Sequence, residues 1–278
     1  MPFKTVLTVT APDLGFADID LAASLCESVE AHLAALVVQT ASPPPIGEYA
    51  AVVSEAWLQE RQEEERRLEA RREALTAHLA QKAISADVAT EYPELAWADE
   101  VIGRRGLYAD VTVLGPEVLA TETLRAKIIE GALFVSGKPL LLMPEAGSAT
   151  LAPKRILIAW DARVEAARSV YAALDMLKSA NDVRVAIVDP NPGETAHGAE
   201  PGADVATYLS RHGIKASVER VPSQNLAVAD VLRRCARDFD SQMLVMGAYG
   251  HSRLRERIFG GVTKSILEAP SVPVLLAR

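Results

Sequence analysis

The chain carries the same three sequence blocks twice, in the same order. Lys4-Thr5-Val6-Leu7-Thr8-Val9 matches Lys154-Arg155-Ile156-Leu157-Ile158-Ala159. Asp110-Val111-Thr112-Val113-Leu114-Gly115-Pro116 matches Gln242-Met243-Leu244-Val245-Met246-Gly247-Ala248. Gly137-Lys138-Pro139-Leu140-Leu141-Leu142 matches Ser271-Val272-Pro273-Val274-Leu275-Leu276. Self-similarity of this kind marks a repeated structural unit, so both halves must satisfy one fold. The 278 residues then divide into two domains of ordinary size. Pro144-Glu145-Ala146-Gly147-Ser148-Ala149 suits the join. The expected domains are residues 1–146 and 150–278.

The spacings also locate an insertion. Lys4 and Lys154 are 150 residues apart, whereas Gly115 and Gly247 are 132 apart. The first half is therefore about 18 residues longer between its first and fourth strands. The charged stretch Glu60 to Arg72 is the expected place. It lies within a long charged helix predicted over Trp57–Lys82, where acids and bases at i, i+3 and i+4 support each other. Its outer face is solvated or meets a partner.

Each half alternates strand and helix. In the second half, strands are predicted at Arg155–Trp160, Val183–Val188, Ala216–Val221, Met243–Met246 and Val272–Ala277. Helices are predicted at Glu165–Ser179, Asp204–His212, Leu226–Asp238 and Val262–Glu268. Val228, Val231, Leu232, Cys235 and Phe239 recur at helical steps and define one buried face. The strands are nearly continuous apolar runs, as parallel strands covered on both faces require. The predicted fold is α/β, with a doubly wound, parallel, five-stranded sheet in each half.

A net charge of −8 argues against general binding to nucleic acid or anionic membranes. Cys26 and Cys235 have no Cys or His neighbours at metal-ligand spacing and read as buried thiols. The start of the chain runs directly into a strand, and its apolar runs are too short to span a bilayer. A soluble, cytoplasmic protein is expected.

Ligands of doubly wound sheets sit beyond the carboxyl ends of the strands, where strand order reverses. After the fourth strand of the second half, Gly247 is followed by Gly250, then by Gly260 and Gly261 at the start of a helix. Glycines let a backbone approach a bulky anion, and helix N-terminal amides attract one. Thr263 adds a hydroxyl. The competing reading is plain turn glycines. The segment lacks the Gly-Lys-Ser/Thr of a Walker loop and the Gly-x-Gly of a Rossmann turn. His251, Arg253, Arg255 and Arg257 read as a solvated basic loop that is able to approach a phosphate tail.

Gly-x-x-Gly, nine residues, then Gly and a small residue resembles the nucleotide motif of the universal stress protein family. Ala159-Trp160-Asp161, Ile187-Val188-Asp189 and Pro270-Ser271-Val272-Pro273-Val274-Leu275-Leu276 resemble other blocks of that family. The resemblance covers the chain as a tandem pair. It implies adenine nucleotide alpha hydrolase-like domains packed as a pseudo-dimer, and a stress-response role as sensor or regulator. It implies binding of ATP, ADP or AMP, with Mg²⁺ accompanying the phosphates. Carried over by position, it implicates Ala159, Trp160, Asp161, Val188, Met246, Gly247, Gly250, Gly260, Gly261, Val262 and Thr263. Asp161 would face the ribose; its alternative role is a turn before the helix at Glu165. Val188 is expected in the core under either reading. Gly261 departs from the family pattern, which has Ser or Thr there.

The matching segment of the first half reads Gly115-Pro116-Glu117-Val118, and its acid after the first strand, Asp13, is displaced by Pro12. Glu117 would repel phosphate. No nucleotide is expected in this half, so one per chain is the most the sequence supports. No acid–base constellation is assembled, so no catalytic residue is assigned and slow ATP hydrolysis is the most expected. A scaffold without nucleotide is the other alternative. A homodimer or an unidentified protein partner fits either.

Overall fold

In the computed structural model, residues 3–43, 55–145, 150–190, 200–249 and 261–278 are described. They form two compact units, Phe3–Ser136 and Gly137–Arg278.

The first unit runs β1 (Thr5–Thr10), α1 (Ala17–Val29), β2 (His32–Val38), α2 (Glu55–Leu79), β3 (Ala86–Glu91), α3 (Ala98–Gly106), β4 (Val111–Leu114), α4 (Pro116–Ala120) and α5 (Glu122–Glu130). Its strands lie in the order β3-β2-β1-β4, all parallel. The insertion is α2 itself. It spans 25 residues, while its counterpart in the second repeat spans nine. Leu68, Arg71, Leu75 and Leu79 form its buried stripe. Its outer face carries exposed pairs such as Arg66–Glu63 at 2.6 Å, which add little stability in water.

The second unit runs β5 (Leu140–Leu142), β6 (Arg155–Ala159), α6 (Val164–Ser179), β7 (Asp182–Val188), α7 (Ala203–Arg211), β8 (Ala216–Val221), α8 (Val228–Asp238), β9 (Met243–Gly247), α9 (Gly261–Glu268) and β10 (Val274–Ala277). The order is β5-β10-β9-β6-β7-β8. β10 through β8 are parallel, and β5 alone is antiparallel, with Leu141 opposite Leu275. Because β5 pairs with β10, the division falls at Ser136/Gly137, ahead of the Pro144–Ala149 stretch.

Consecutive residues Ile156, Leu157 and Ile158 are all fully buried. Alternate side chains of a strand point to opposite faces, so both faces of the sheet are covered there. Each such side chain contributes about 1.5–3 kcal/mol of burial. Cys26 and Cys235 are buried free thiols, and burial pushes the Cys26 thiol up to about 12.

The repeat extends to atoms. Asp110 Oδ2 accepts the backbone N–H groups of Lys4 and Thr5 at 2.7 and 2.9 Å. Its counterpart Gln242 uses Oε1 to accept those of Lys154 and Arg155 at 2.5 and 3.3 Å. Each ties the loop before the fourth strand of its repeat to the start of the first.

Candidate functional site

In the second unit, the chain leaves β6 toward β7 and β8 on one side and later returns to β9 and β10 on the other. Strand order therefore reverses between β6 and β9, which opens a crevice at their carboxyl ends. Ala159, the last residue of β6, stands opposite Met246 on β9 and Ala186 on β7. The Trp160 N–H donates to the Ala186 carbonyl at 3.0 Å. Asp161 follows, its side chain 60% exposed. Its Oδ1 accepts the Arg163 N–H at 3.1 Å, so it holds the turn into α6 while part of the carboxylate faces solvent.

Val188 ends β7 and is half-buried. This corrects the expectation of a core residue. The core position is Ile187, fully buried, and Val188 reaches the open carboxyl edge of the sheet. Met246 and Thr263 are buried, Val262 is half-buried, and Gly261 is exposed at the first position of α9. Gly250, Gly260 and the loop residues His251, Arg253, Arg255 and Arg257 lie outside the described residues.

The glycines differ in what they are for. A Cβ on Gly247 would lie 2.5 Å from the backbone nitrogen of Ala166 and 2.6 Å from the carbonyl carbon of Glu165. Close approach of α6 alone therefore demands glycine at this position. Among the described residues, a Cβ on Gly261 would meet nothing within 4 Å. A side chain fits there, and the hydroxyl missing from the family pattern can be supplied. If this helix start holds phosphate, as the family resemblance implies, Gly261→Ser is expected to tighten nucleotide binding by about threefold to tenfold, the worth of one added hydrogen bond. Titration calorimetry reads this directly, and weaker binding would place the phosphates away from α9.

Three positions carried no signal in the sequence. Ala162 (φ +60°), Asp189 (φ +45°) and Tyr249 (φ +60°) are left-handed non-glycine residues just beyond β6, β7 and β9. Each conformation costs about 1 kcal/mol or more and persists only where its surroundings enforce it. Hydrogen bonds from Ser223 hold the Asp189 carboxyl below its ordinary value, with the Ser223 N–H at 2.9 Å. The strand ends bordering the crevice are thus built from constrained turns.

The first unit resolves the same region differently. Asp18, on the first turn of α1, accepts the N–H groups of Glu117 and Val118 at 3.1 and 2.9 Å. Glu117, on the first turn of α4, accepts the N–H groups of Gly15 and Asp18 at 3.0 and 3.4 Å. Each helix start is capped by a carboxylate from the other. Burial raises the Asp18 carboxyl above its ordinary value, against those two amide bonds that lower it. Gly115 lies against this pair, and a Cβ there would be 2.2 Å from Asp18 Oδ1. The amides that would receive an anion in this unit already hold two.

Among the described residues, no group of three or more His, Cys, Asp or Glu side chains is placed to hold a metal ion. No helix among them is long and apolar enough to cross a membrane.

A family model described as the universal stress protein family matches residues 153–278. A universal stress protein of Synechocystis is 32% identical over 89 residues, which cover 31% of this chain and 30% of that protein. The chain thus aligns with less than a third of that relative's length. The structure of a universal stress protein from Archaeoglobus fulgidus superposes with a TM-score of 0.67 at 17% identity, covering 99% of this chain and 96% of that one. One named as a universal stress protein from Pseudomonas aeruginosa gives 0.61 at 18% identity, with 99% and 93% covered. These structural likenesses extend the shared fold over nearly the whole chain.

Proposed function

We propose, on the premise that residues 153–278 belong to the universal stress protein family, that this domain binds one adenine nucleotide and acts as a cytoplasmic sensor or regulator in a stress response. One pairing carries the reading. Where β6 and β9 part, an exposed Asp161 stands at the β6 end, and α9 starts at Gly261, where a Cβ would meet nothing within 4 Å among the described residues. That is a negative group suited to ribose hydroxyls beside a helix N-terminus suited to phosphate.

Ala159, Trp160, Val188 and Met246 would border the base, and Asp161 would accept from the ribose. The phosphates would lie against the start of α9, from Gly261 to Thr263, with Gly247 setting the position of the loop. The residues present fit this division, because no described residue crowds Gly261 and Val188 is only half covered. Mg²⁺ would enter with the phosphates, on their oxygens and water. ATP, ADP and AMP share the base and ribose contacts.

Asp161→Ala is expected to weaken ATP binding at least tenfold, the loss of about 1.4 kcal/mol that one charge-assisted hydrogen bond provides. Titration calorimetry on parent and variant checks it. Equal affinities would move the ribose away from β6. The scaffold alternative draws on Gly261 and on the occupied first unit, and it would show as no binding at millimolar nucleotide.

A further inference from the structure

α2 has a wrong residue in its buried stripe. Leu68, Leu75 and Leu79 face inward as an amphipathic helix requires, and Arg71 shares their face. Arg71 is only 8% exposed. Charged side chains are rarely buried to this degree unless paired. Its Nη2 donates to the Gly15 carbonyl, and its guanidinium stacks 4.5 Å above the Phe16 ring. Its Nε finds no hydrogen-bond partner among the described residues. Asp13 and Glu117 act on it through space, yet neither is within ion-pair distance; burial lowers its pKa in spite of them.

Arg71 lines a half-open cavity of about 680 Å³ at the carboxyl ends of β1 and β2, walled by residues of the first unit. Ala11, Val38, Leu95 and Leu124 supply apolar walls, and Thr40 and Thr123 supply hydroxyls. The volume lies in the range of small-molecule sites. The other bases on the wall are engaged. Arg66 and Arg67 pair with Glu63, and Lys127 pairs with Asp99 and Glu130. Arg71 alone among them is buried with no acid at ion-pair distance; Asp13, on the same wall, and Glu117 act on it from farther away.

We propose that this cavity binds an organic anion other than a nucleotide: a compact apolar body bearing one carboxylate or phosphate monoester group, which meets Arg71. The second repeat has no counterpart of Arg71, which lies on the long helix that only the first repeat has. A polyphosphate chain is disfavoured, since the carboxylates of Asp13 and Glu117 act on the same guanidinium and Asp18 already holds the Glu117 and Val118 amides. The site is therefore separate in place and chemistry from the one proposed for ATP.

The test follows backbone amide shifts of the full chain by NMR during titration with benzoate, phenyl phosphate and neutral benzyl alcohol. Saturable shifts at Ala11, Val38 to Thr40 and Thr121 to Leu124 are expected with at least one anion, and which anion binds tighter tells carboxylate from phosphate ester. Benzyl alcohol should bind at least tenfold more weakly. Arg71→Gln should weaken the anion at least tenfold. Ala70→Trp should do so as well; it fills the cavity from an exposed helix position and leaves the stripe untouched. The inference is overturned by no saturable shift with either anion, by equal binding of the alcohol, by anion shifts confined to the second unit, or by undiminished binding to a folded Ala70→Trp chain. ATP shifting the same first-unit amides would overturn it too. A failure of ATP to bind the second unit would leave it standing.

Discussion

Replacing Asp18 by alanine is expected to remove about 3 kcal/mol of stability from the first unit, as two helix-start amides lose their acceptors. The Asp18 carboxylate uses both oxygens, one each on the Glu117 and Val118 N–H groups. The side chain is 2% exposed, so water cannot replace it without rearrangement. Glu117 would be left facing the start of α1 with nothing returning the interaction. Asp18→Asn keeps one acceptor oxygen and should lose about half as much. Guanidinium denaturation followed by circular dichroism measures both variants. A loss below about 1 kcal/mol for the alanine variant would mean the reciprocal caps are not what holds α1 and α4 together. The sign of the pH dependence follows from the raised Asp18 pKa. The folded state keeps this proton to higher pH than the unfolded state does, so the group favours folding most at acid pH. That contribution declines as pH rises through the raised value.

Gly247→Val is expected to lower the melting temperature of the second unit by about 10 °C, from an overpacking cost of about 3 kcal/mol. The obstacle is backbone. The new Cβ would sit 2.5 Å from the Ala166 nitrogen, so relief requires moving the start of α6. Gly261→Val is the matched control, because no described residue lies within 4 Å of a Cβ there. It should shift the melting temperature only slightly, while nucleotide binding falls through bulk at the helix start. Calorimetric melting of both separates packing from ligand contact. If Gly247→Val melted normally and lost only ATP binding, Gly247 would be a ligand contact and the packing argument would fail.

The second repeat was legible because its elements are dense in local signal. Ala216–Val221 matches the strand found, and α6, α7 and α9 start within one residue of expectation. Where ends shifted, local chemistry explains it. Pro273 has no N–H to donate, and β10 begins at Val274. Leu226 closes a turn onto Ser223 and Ala227 is extended, so α8 begins at Val228.

What the sequence hid depends on residues far apart in the chain. Glu117 was readable as a charge hostile to phosphate. That it caps α1 while Asp18 caps α4 was not, because the partners are 99 residues apart. Arg71 vanished into a run of charges, although its spacing from Leu68 and Leu75 held the clue. Ala162, Asp189 and Tyr249 are left-handed without being glycine, so composition gives no sign of them. Gly247 was visible as a glycine before a site, yet its demonstrated constraint is the approach of α6.

The proposed function amounts to one nucleotide per chain, bound in the second unit only. Titration calorimetry of the intact chain with ATP tests it most directly through the stoichiometry. A single saturating site at one ATP per chain is expected, weakened by Asp161→Ala and indifferent to Arg71→Gln. Two sites per chain, or no heat at millimolar ATP, would contradict it.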